Sequence, residues 1–382
     1  MKLLAKTLYG LEGILEKELE NLGAKNIVLL KRAVQFEGDQ ELLYRANLEL
    51  RTALRILVPF AEFQSRHPDS LYRRIGKMDW SAFMSIDDTF AIDAVVHSDL
   101  FRHSKFTALR VKDAIVDQFR KKTGRRPNVD VRNPSVRISL HISHNNCTLS
   151  LDSSGDSLHK RGYRTEALEA PINEVLAAGM ILLSGWQGDS NFIDPMCGSG
   201  TILVEAAYFA YNIAPQLYRR EFGFMKWKDF DKNLWKKVVE QAVAKQRPFK
   251  HQILGFDKDH RAVRLSGQTL RAARLEDKVM ISRSKFQDLT PPPEAGIVMM
   301  NPPYDERLAE TNIIALYKMI GDRLKQAFPG FEAWIISSNQ DALKRVGLKP
   351  SKKLTLFNGS LECRFQKFEL YKGSKKQKYQ TS

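Results

Sequence analysis

The run Asn191-Phe192-Ile193-Asp194-Pro195-Met196-Cys197-Gly198-Ser199-Gly200-Thr201, continued by Ile202-Leu203-Val204-Glu205-Ala206-Ala207-Tyr208-Phe209, decides the fold. A short apolar strand ends in an acid and a proline, a glycine pair follows, and apolar residues then recur at helical spacing. Glycines in such a loop let the backbone approach a ligand closely, and the helix start favours a negative group. Two common ligands are excluded. Thr201 follows Gly200 directly, so the lysine of a nucleoside-triphosphate loop is missing, and so is the spacing of a dinucleotide fingerprint.

Toward the carboxyl end the same alternation repeats. Strands are expected at 253–256, 279–281, 297–300 and 334–337, with helices at 172–183, 262–273 and 316–328. A closing hairpin, 354–357 with 364–371, turns through Asn358-Gly359. This is the signature of an α/β domain with a mostly parallel sheet, which binds its ligand at the carboxyl ends of the strands. Two further features fall there. Asp257 ends one strand and is placed to accept hydrogen bonds from both hydroxyls of a ribose. Asn301-Pro302-Pro303-Tyr304 ends another.

That tetrad has a specific chemistry. The lone pair of a nucleobase amino group is delocalised into the ring, which makes the nitrogen a poor nucleophile. Two acceptors on its N–H bonds, the Asn301 side-chain carbonyl and the Pro302 backbone carbonyl, draw it toward tetrahedral geometry and free the lone pair. The prolines keep those oxygens aimed, and Tyr304 offers a ring on which an extruded base can stack. A simple turn explains Asn-Pro but not all four residues.

Toward the amino end the pattern differs. Residues 1–62 read β-α-β-β-α-β, a ferredoxin-like unit, with Asp39 as a helix N-cap. Residues 63–155 add two helices and three strands, and Asp152-Ser153-Ser154-Gly155-Asp156-Ser157 opens a linker that extends over 156–170. The last domain is 171–372, and 373–382 is a basic tail expected to be disordered. Residues 211–250 read as an inserted helical excursion, a lid or a nucleic-acid-contacting arm, with Trp227 and Trp235 in its own core.

The chain has 382 residues and a net charge of +16, which attracts a polyanion. Residues 101–140 hold 11 Lys/Arg and three Asp. Arg102, Lys105, Lys121, Lys122, Arg125 and Arg126 from this run are candidate phosphate contacts. No apolar run is long enough to span a membrane, and no secretory core follows Met1. Cys147, Cys197 and Cys363 are too few and too scattered for a disulfide framework or a zinc site, so no metal is expected and the chain is expected to work in the cytoplasm.

Asp194–Thr201 together with Asn301–Tyr304 resembles the amino-methyltransferases that use S-adenosylmethionine. The stretch Ser157-Leu158-His159-Lys160-Arg161-Gly162-Tyr163-Arg164, with the basic region before it, is similar to the THUMP-containing RNA methyltransferases. The nearest group is the bacterial large-subunit rRNA guanine-N2 methyltransferases, in a short form without a second fused methyltransferase. The resemblance implies a Rossmann-like methyltransferase domain behind a ferredoxin-like and THUMP RNA-binding region, with large-subunit rRNA as partner. It implies that Asp194, Pro195, Met196, Cys197, Gly198, Ser199, Gly200 and Thr201 cradle the methionine part of S-adenosylmethionine. By the same resemblance Asp257 holds the ribose, Asp288 the adenine amino group, and the helix from Pro171 to Leu176 the cofactor carboxylate. Asp305 stands where the family usually has glycine. Guanine in tRNA, or an adenine amino group, stays open as the target, because the tetrad reads an amino group and not a base. A non-catalytic RNA-binding assembly factor is the alternative of another class.

Overall fold

The computed structural model describes residues 1–164, 172–303 and 310–371. They divide into two compact units that are not contiguous in sequence. The first comprises Met1–Thr7, Glu16–Leu158 and Arg219–Val239; the second comprises Leu8–Leu15, His159–Tyr218 and the chain from Glu240.

In the amino-terminal half the elements are β1 (Lys2–Lys6), α1 (Glu12–Leu22), β2 (Lys25–Leu30), β3 (Ala33–Glu37), α2 (Gln40–Glu49) and β4 (Arg55–Gln64), then α3 (Pro68–Gly76), β5 (Thr89–His97), α4 (Ser104–Thr123), β6 (Asn128–Val129), β7 (Val136–Ser143) and β8 (Asn146–Asp152). Their strands form one sheet in the order β2-β3-β1-β4-β8-β7-β5-β6. The first four strands have the expected ferredoxin-like connectivity, and Asp39 accepts from the Leu42 amide at 2.8 Å as the expected cap. Strand β4 then pairs antiparallel with β8, so the second module continues the same sheet. Alternation in β7 puts Ile138, Leu140 and Ile142 against Val111, Ile115 and Phe119 of α4, forming that module's core.

Two expectations are corrected here. The polar stretch after β8 is not a loose linker: Ser153 and Ser154 are fully buried. Ser153 Oγ donates to the Ile56 carbonyl at 2.7 Å, and Ser154 Oγ to Asn47 Oδ1 at 2.7 Å. Small hydroxyls there satisfy polar groups at the sheet end, a use that composition cannot distinguish from solvation. The aromatics of the excursion 211–250 likewise do not pack as expected. Residues 219–239 belong to the first unit, where Phe224 stacks on Tyr44 of α2 at 4.5 Å and Trp235 meets the same ring edge-on at 5.9 Å. The insertion's aromatics share a core with the ferredoxin-like module and do not form one of their own.

In the carboxyl-terminal half, α5 (Glu174–Ser184), β9 (Asn191–Asp194), α6 (Thr201–Ala210), α7 (Lys232–Ala244), β10 (Ile253–Asp257), α8 (His260–Ala272), β11 (Met280–Arg283), β12 (Gly296–Met300), α9 (Glu310–Ala327), β13 (Glu332–Ser337), α10 (Gln340–Arg345), β14 (Lys352–Asn358) and β15 (Leu361–Glu369) follow. The sheet order is β11-β10-β9-β12-β13-β15-β14, parallel up to β13 and closed by the antiparallel hairpin. The chain leaves β9 to one side for β10 and β11 and to the other for β12, which makes the carboxyl end of β9 a topological switch point. Asn191 ties the lower ends together, accepting from the Gln252 amide at 2.9 Å and donating to the Glu294 carbonyl at 2.8 Å. One face of the sheet packs Val298, Met300 and Ile335 against Tyr317, Ile320 and Leu324 of α9.

Candidate active site

The switch point gathers the expected residues along one edge. In spatial order, Asp288 follows β11, Asp257 ends β10, Asp194 ends β9 and Asn301 follows β12. Parallel register sets Asp194 beside Gly255 and Ile193 beside Val298, so all four lie at the same end of the sheet.

The glycine loop is built from both sides. Gly198 and Gly200 have φ of 54° and 82°, the left-handed region that glycine occupies freely. A Cβ on Gly200 would stand 3.2 Å from Ser266 Oγ of α8, and that hydroxyl donates to the Gly198 carbonyl at 2.7 Å. The Cys197 amide donates to the Phe256 carbonyl at 2.9 Å, and the Gly198 amide to Asp257 Oδ2 at 3.0 Å. Asp257 therefore holds the loop as well as facing it, and its second oxygen accepts from the Asp259 amide at 2.9 Å. Each carboxylate oxygen has further acceptor capacity for a ribose hydroxyl.

Asp194 is buried, and desolvation pushes its carboxyl up to about 8 despite the bond it accepts from the Met196 amide. A buried carboxylate held up by desolvation, with the Asp257 charge adding to the effect, is stabilised by a cationic ligand. Burial also raises the Cys197 thiol, which fits a packing residue and not a nucleophile. The donor implied by the resemblance fits this set: a loop stripped of side chains, a buried acid for a positive tail, and an acid at the ribose position. Asp288 is exposed in a short turn anchored by buried Phe286.

Asn301 stands between buried Met300 and buried Pro302, and Pro303 is exposed. Among the described residues the Asn301 side-chain amide makes no hydrogen bond. Tyr304, Asp305 and Pro171 lie outside the described residues.

Sequence reasoning missed what the segment before α5 does. Arg161 and Tyr163 are buried, and both reach Glu205 of α6: the guanidinium at 3.4 Å and the phenol, as donor, at 2.8 Å. One turn away, Arg164 Nη2 donates to the Ile172 carbonyl at 2.9 Å and to Thr201 Oγ1 at 3.2 Å, and lies 3.4 Å from Glu174 Oε1. The segment thus straps α6 and the start of α5, the two helices that flank the glycine loop. The signal available was two arginines and a tyrosine in a stretch that reads as a linker.

The basic run is not one patch. Arg102 and Lys105 lie at the start of α4, and Lys121, Lys122, Arg125 and Arg126 at and beyond its end, about 24 Å away along the helix. At the far end Lys122 pairs with Asp79 at 3.3 Å and Arg125 with Asp87 at 2.7 Å. A groove of 390 Å³ there is lined by Tyr72, Arg110, Arg120 and Arg126, with Asp113 and Asp117. At the near end Arg102 and Lys105 have no ion pair among the described residues, and exposed Phe106 and Leu109 stand beside them on the helix.

No helix among the described residues is long and apolar enough to cross a membrane, and no cluster of metal-ligating side chains is found among them. Comparison with known proteins agrees with this geometry. A family model described as "RMKL-like, methyltransferase domain" matches residues 161–367, a THUMP domain model matches 65–152, and a model described as "RlmL ferredoxin-like domain" matches 2–57. The chain is 38% identical over 382 residues to the "Ribosomal RNA large subunit methyltransferase K/L" of Syntrophotalea carbinolica, with 97% of this chain and 54% of that protein covered. It spans about half the length of the curated relatives of that name. It is 39% identical to the "Putative RNA methyltransferase slr0064" of Synechocystis, with 95% of both chains covered. The solved structure titled "Crystal structure of SMU.472, a putative methyltransferase complexed with SAH" superimposes with a TM-score of 0.88 at 31% identity, covering 98% of this chain and 99% of that one.

Proposed function

The chain belongs to the RMKL-like family of S-adenosylmethionine-dependent methyltransferases, and from that premise we propose that it methylates the 2-amino group of a guanine in large-subunit rRNA in the cytoplasm. The observation that carries the reading is Asn301: a side-chain carbonyl without a hydrogen-bond partner among the described residues, next to a proline carbonyl, at the carboxyl end of the strand beside the glycine loop. S-adenosylmethionine supplies the activated methyl group. The chain's own contribution is orientation. Asn301 and Pro302 hold the amino nitrogen by its N–H bonds, and the loop from Asp194 to Thr201 holds the donor in line with it. The nitrogen becomes acidic once it is alkylated, so its proton leaves without a strong base.

The THUMP module supplies the RNA surface in this reading. Arg102 and Lys105 contact phosphates, and Phe106 gives a stacking face, the combination that single-stranded RNA requires. Lys121, Lys122, Arg125 and Arg126 form a second contact. Incubating the protein with undermodified 23S rRNA and labelled donor, followed by nucleoside analysis, tests the reading. N2-methylguanosine at one position is expected. Label in tRNA only, or in N6-methyladenosine, contradicts the substrate, and RNA binding without any transfer contradicts the enzyme.

A further inference from the structure

Gly198, in the middle of the glycine loop, is held on both sides by the neighbouring strand and helix. Its amide donates to Asp257 Oδ2 at 3.0 Å, and its carbonyl accepts from Ser266 Oγ at 2.7 Å. Asp257 ends β10, and Ser266 lies in the second turn of α8, the helix that follows. Among the described residues no main-chain amide reaches the Gly198 carbonyl, so the serine is its donor. A serine inside a helix ordinarily faces solvent or turns its hydroxyl back to the carbonyl one turn earlier. Ser266 does neither. It is fully buried, and its one proton is spent on the loop. The Cys197 thiol, 3.5 Å from Oγ, is then the donor to that oxygen. Thiol, hydroxyl and carbonyl form an ordered chain that ties two successive loop residues to α8, and burial keeps the thiol protonated.

We propose that Ser266 is a positioning residue for the methyl donor: with Asp257 it clamps Gly198, so that the acid facing the ribose and the loop facing the amino-acid part form one rigid receptor. The proposal rests on the donor reading above and adds what makes the two halves of the donor bind as a unit. Without the hydroxyl the carbonyl side of the clamp opens while Asp257 keeps its bonds to the Gly198 and Asp259 amides. The ligand must then order the loop, a cost that falls on the part of the donor the loop holds and not on the nucleoside.

Calorimetry with two probes tests it. S-adenosylhomocysteine carries the amino-acid tail, and 5′-methylthioadenosine carries the same nucleoside without it. Ser266→Ala is expected to bind S-adenosylhomocysteine roughly tenfold more weakly and 5′-methylthioadenosine within about twofold of the unaltered protein. Equal loss of both probes, no loss of either, or loss of the nucleoside alone overturns the assignment. A measurement without any variant guards against a packing defect. Adenosine, which has neither sulfur nor tail, is expected to slow hydrogen exchange of the Gly200 amide in the unaltered protein, because the ligand on Asp257 steadies the loop through the clamp. Unchanged exchange at saturating adenosine overturns the proposal. If the unaltered protein binds none of these nucleosides, the donor reading itself is contradicted, along with what rests on it.

Discussion

Two ion pairs of nearly equal length do opposite work in the two units. Lys122 and Asp79 stand 3.3 Å apart with side chains 54% and 63% exposed, whereas Arg161 and Glu205 stand 3.4 Å apart with both side chains fully buried. In water the first pair contributes little and exchanges freely, so a phosphate can take over the lysine. The second pair is desolvated, and removing one partner strands the other. Distance alone therefore does not tell a binding charge from a positioning charge. Lys122 in the THUMP module stays exchangeable, whereas Arg161 in the methyltransferase domain is committed to the helix behind the glycine loop.

The largest expected break in this contrast is Arg161→Met, which strips the buried Glu205 carboxylate of its guanidinium and leaves it the Tyr163 phenol as donor. It is expected to cost about 3–5 kcal/mol in a urea titration, and a loss below about 1 kcal/mol contradicts the positioning role. Asp194 provides the next test. Its folded value of about 8 lies above the ordinary 3.8, so between those pH values the folded state holds a proton that the unfolded state has released. This group's contribution to stability is thus greatest below pH 4 and falls as pH rises toward 8, and Asp194→Asn should flatten that part of the melting profile. A cationic ligand tail favours the ionised form, so S-adenosylhomocysteine binding at pH 7 should release protons, read as a dependence of binding enthalpy on buffer ionisation. Smaller is Phe106→Ala, expected to weaken single-stranded RNA binding by roughly 1–3 kcal/mol without moving S-adenosylhomocysteine affinity. Smallest is Asp79→Asn combined with Asp87→Asn. Stability should be almost unchanged, whereas RNA binding should tighten and its salt dependence steepen as Lys122 and Arg125 are released.

What the sequence made legible follows from the length scale of each signal. Strand-loop-helix patterning around Asp194, and the ends at Asp257 and Asn301, are local, and the parallel order of β10, β9 and β12 places them together as expected. The ferredoxin-like connectivity was equally local. Burial of Ser153 and Ser154 was not, because the Asn47 and Ile56 groups they satisfy are about a hundred residues away in the chain. For the same reason the excursion's aromatics gave no sign of Tyr44 as their partner. Arg161 and Arg164 fall in what reads as a linker because nothing in their own neighbourhood names Glu205, and an apolar helix containing one glutamate shows its need for a cation only after folding. The basic run was visible as a run, whereas its division into two patches follows from the length of α4.

The central claim is that a fixed carbonyl pair makes an inert amino nitrogen reactive toward a donor that binds independently of it. Asn301→Ala in the full chain, assayed for single-turnover methyl transfer and for S-adenosylhomocysteine affinity, tests this most directly. Transfer is expected to fall by about 10²–10³ or more with affinity unchanged. Transfer at the unaltered rate, or affinity lost in parallel with it, would contradict the account.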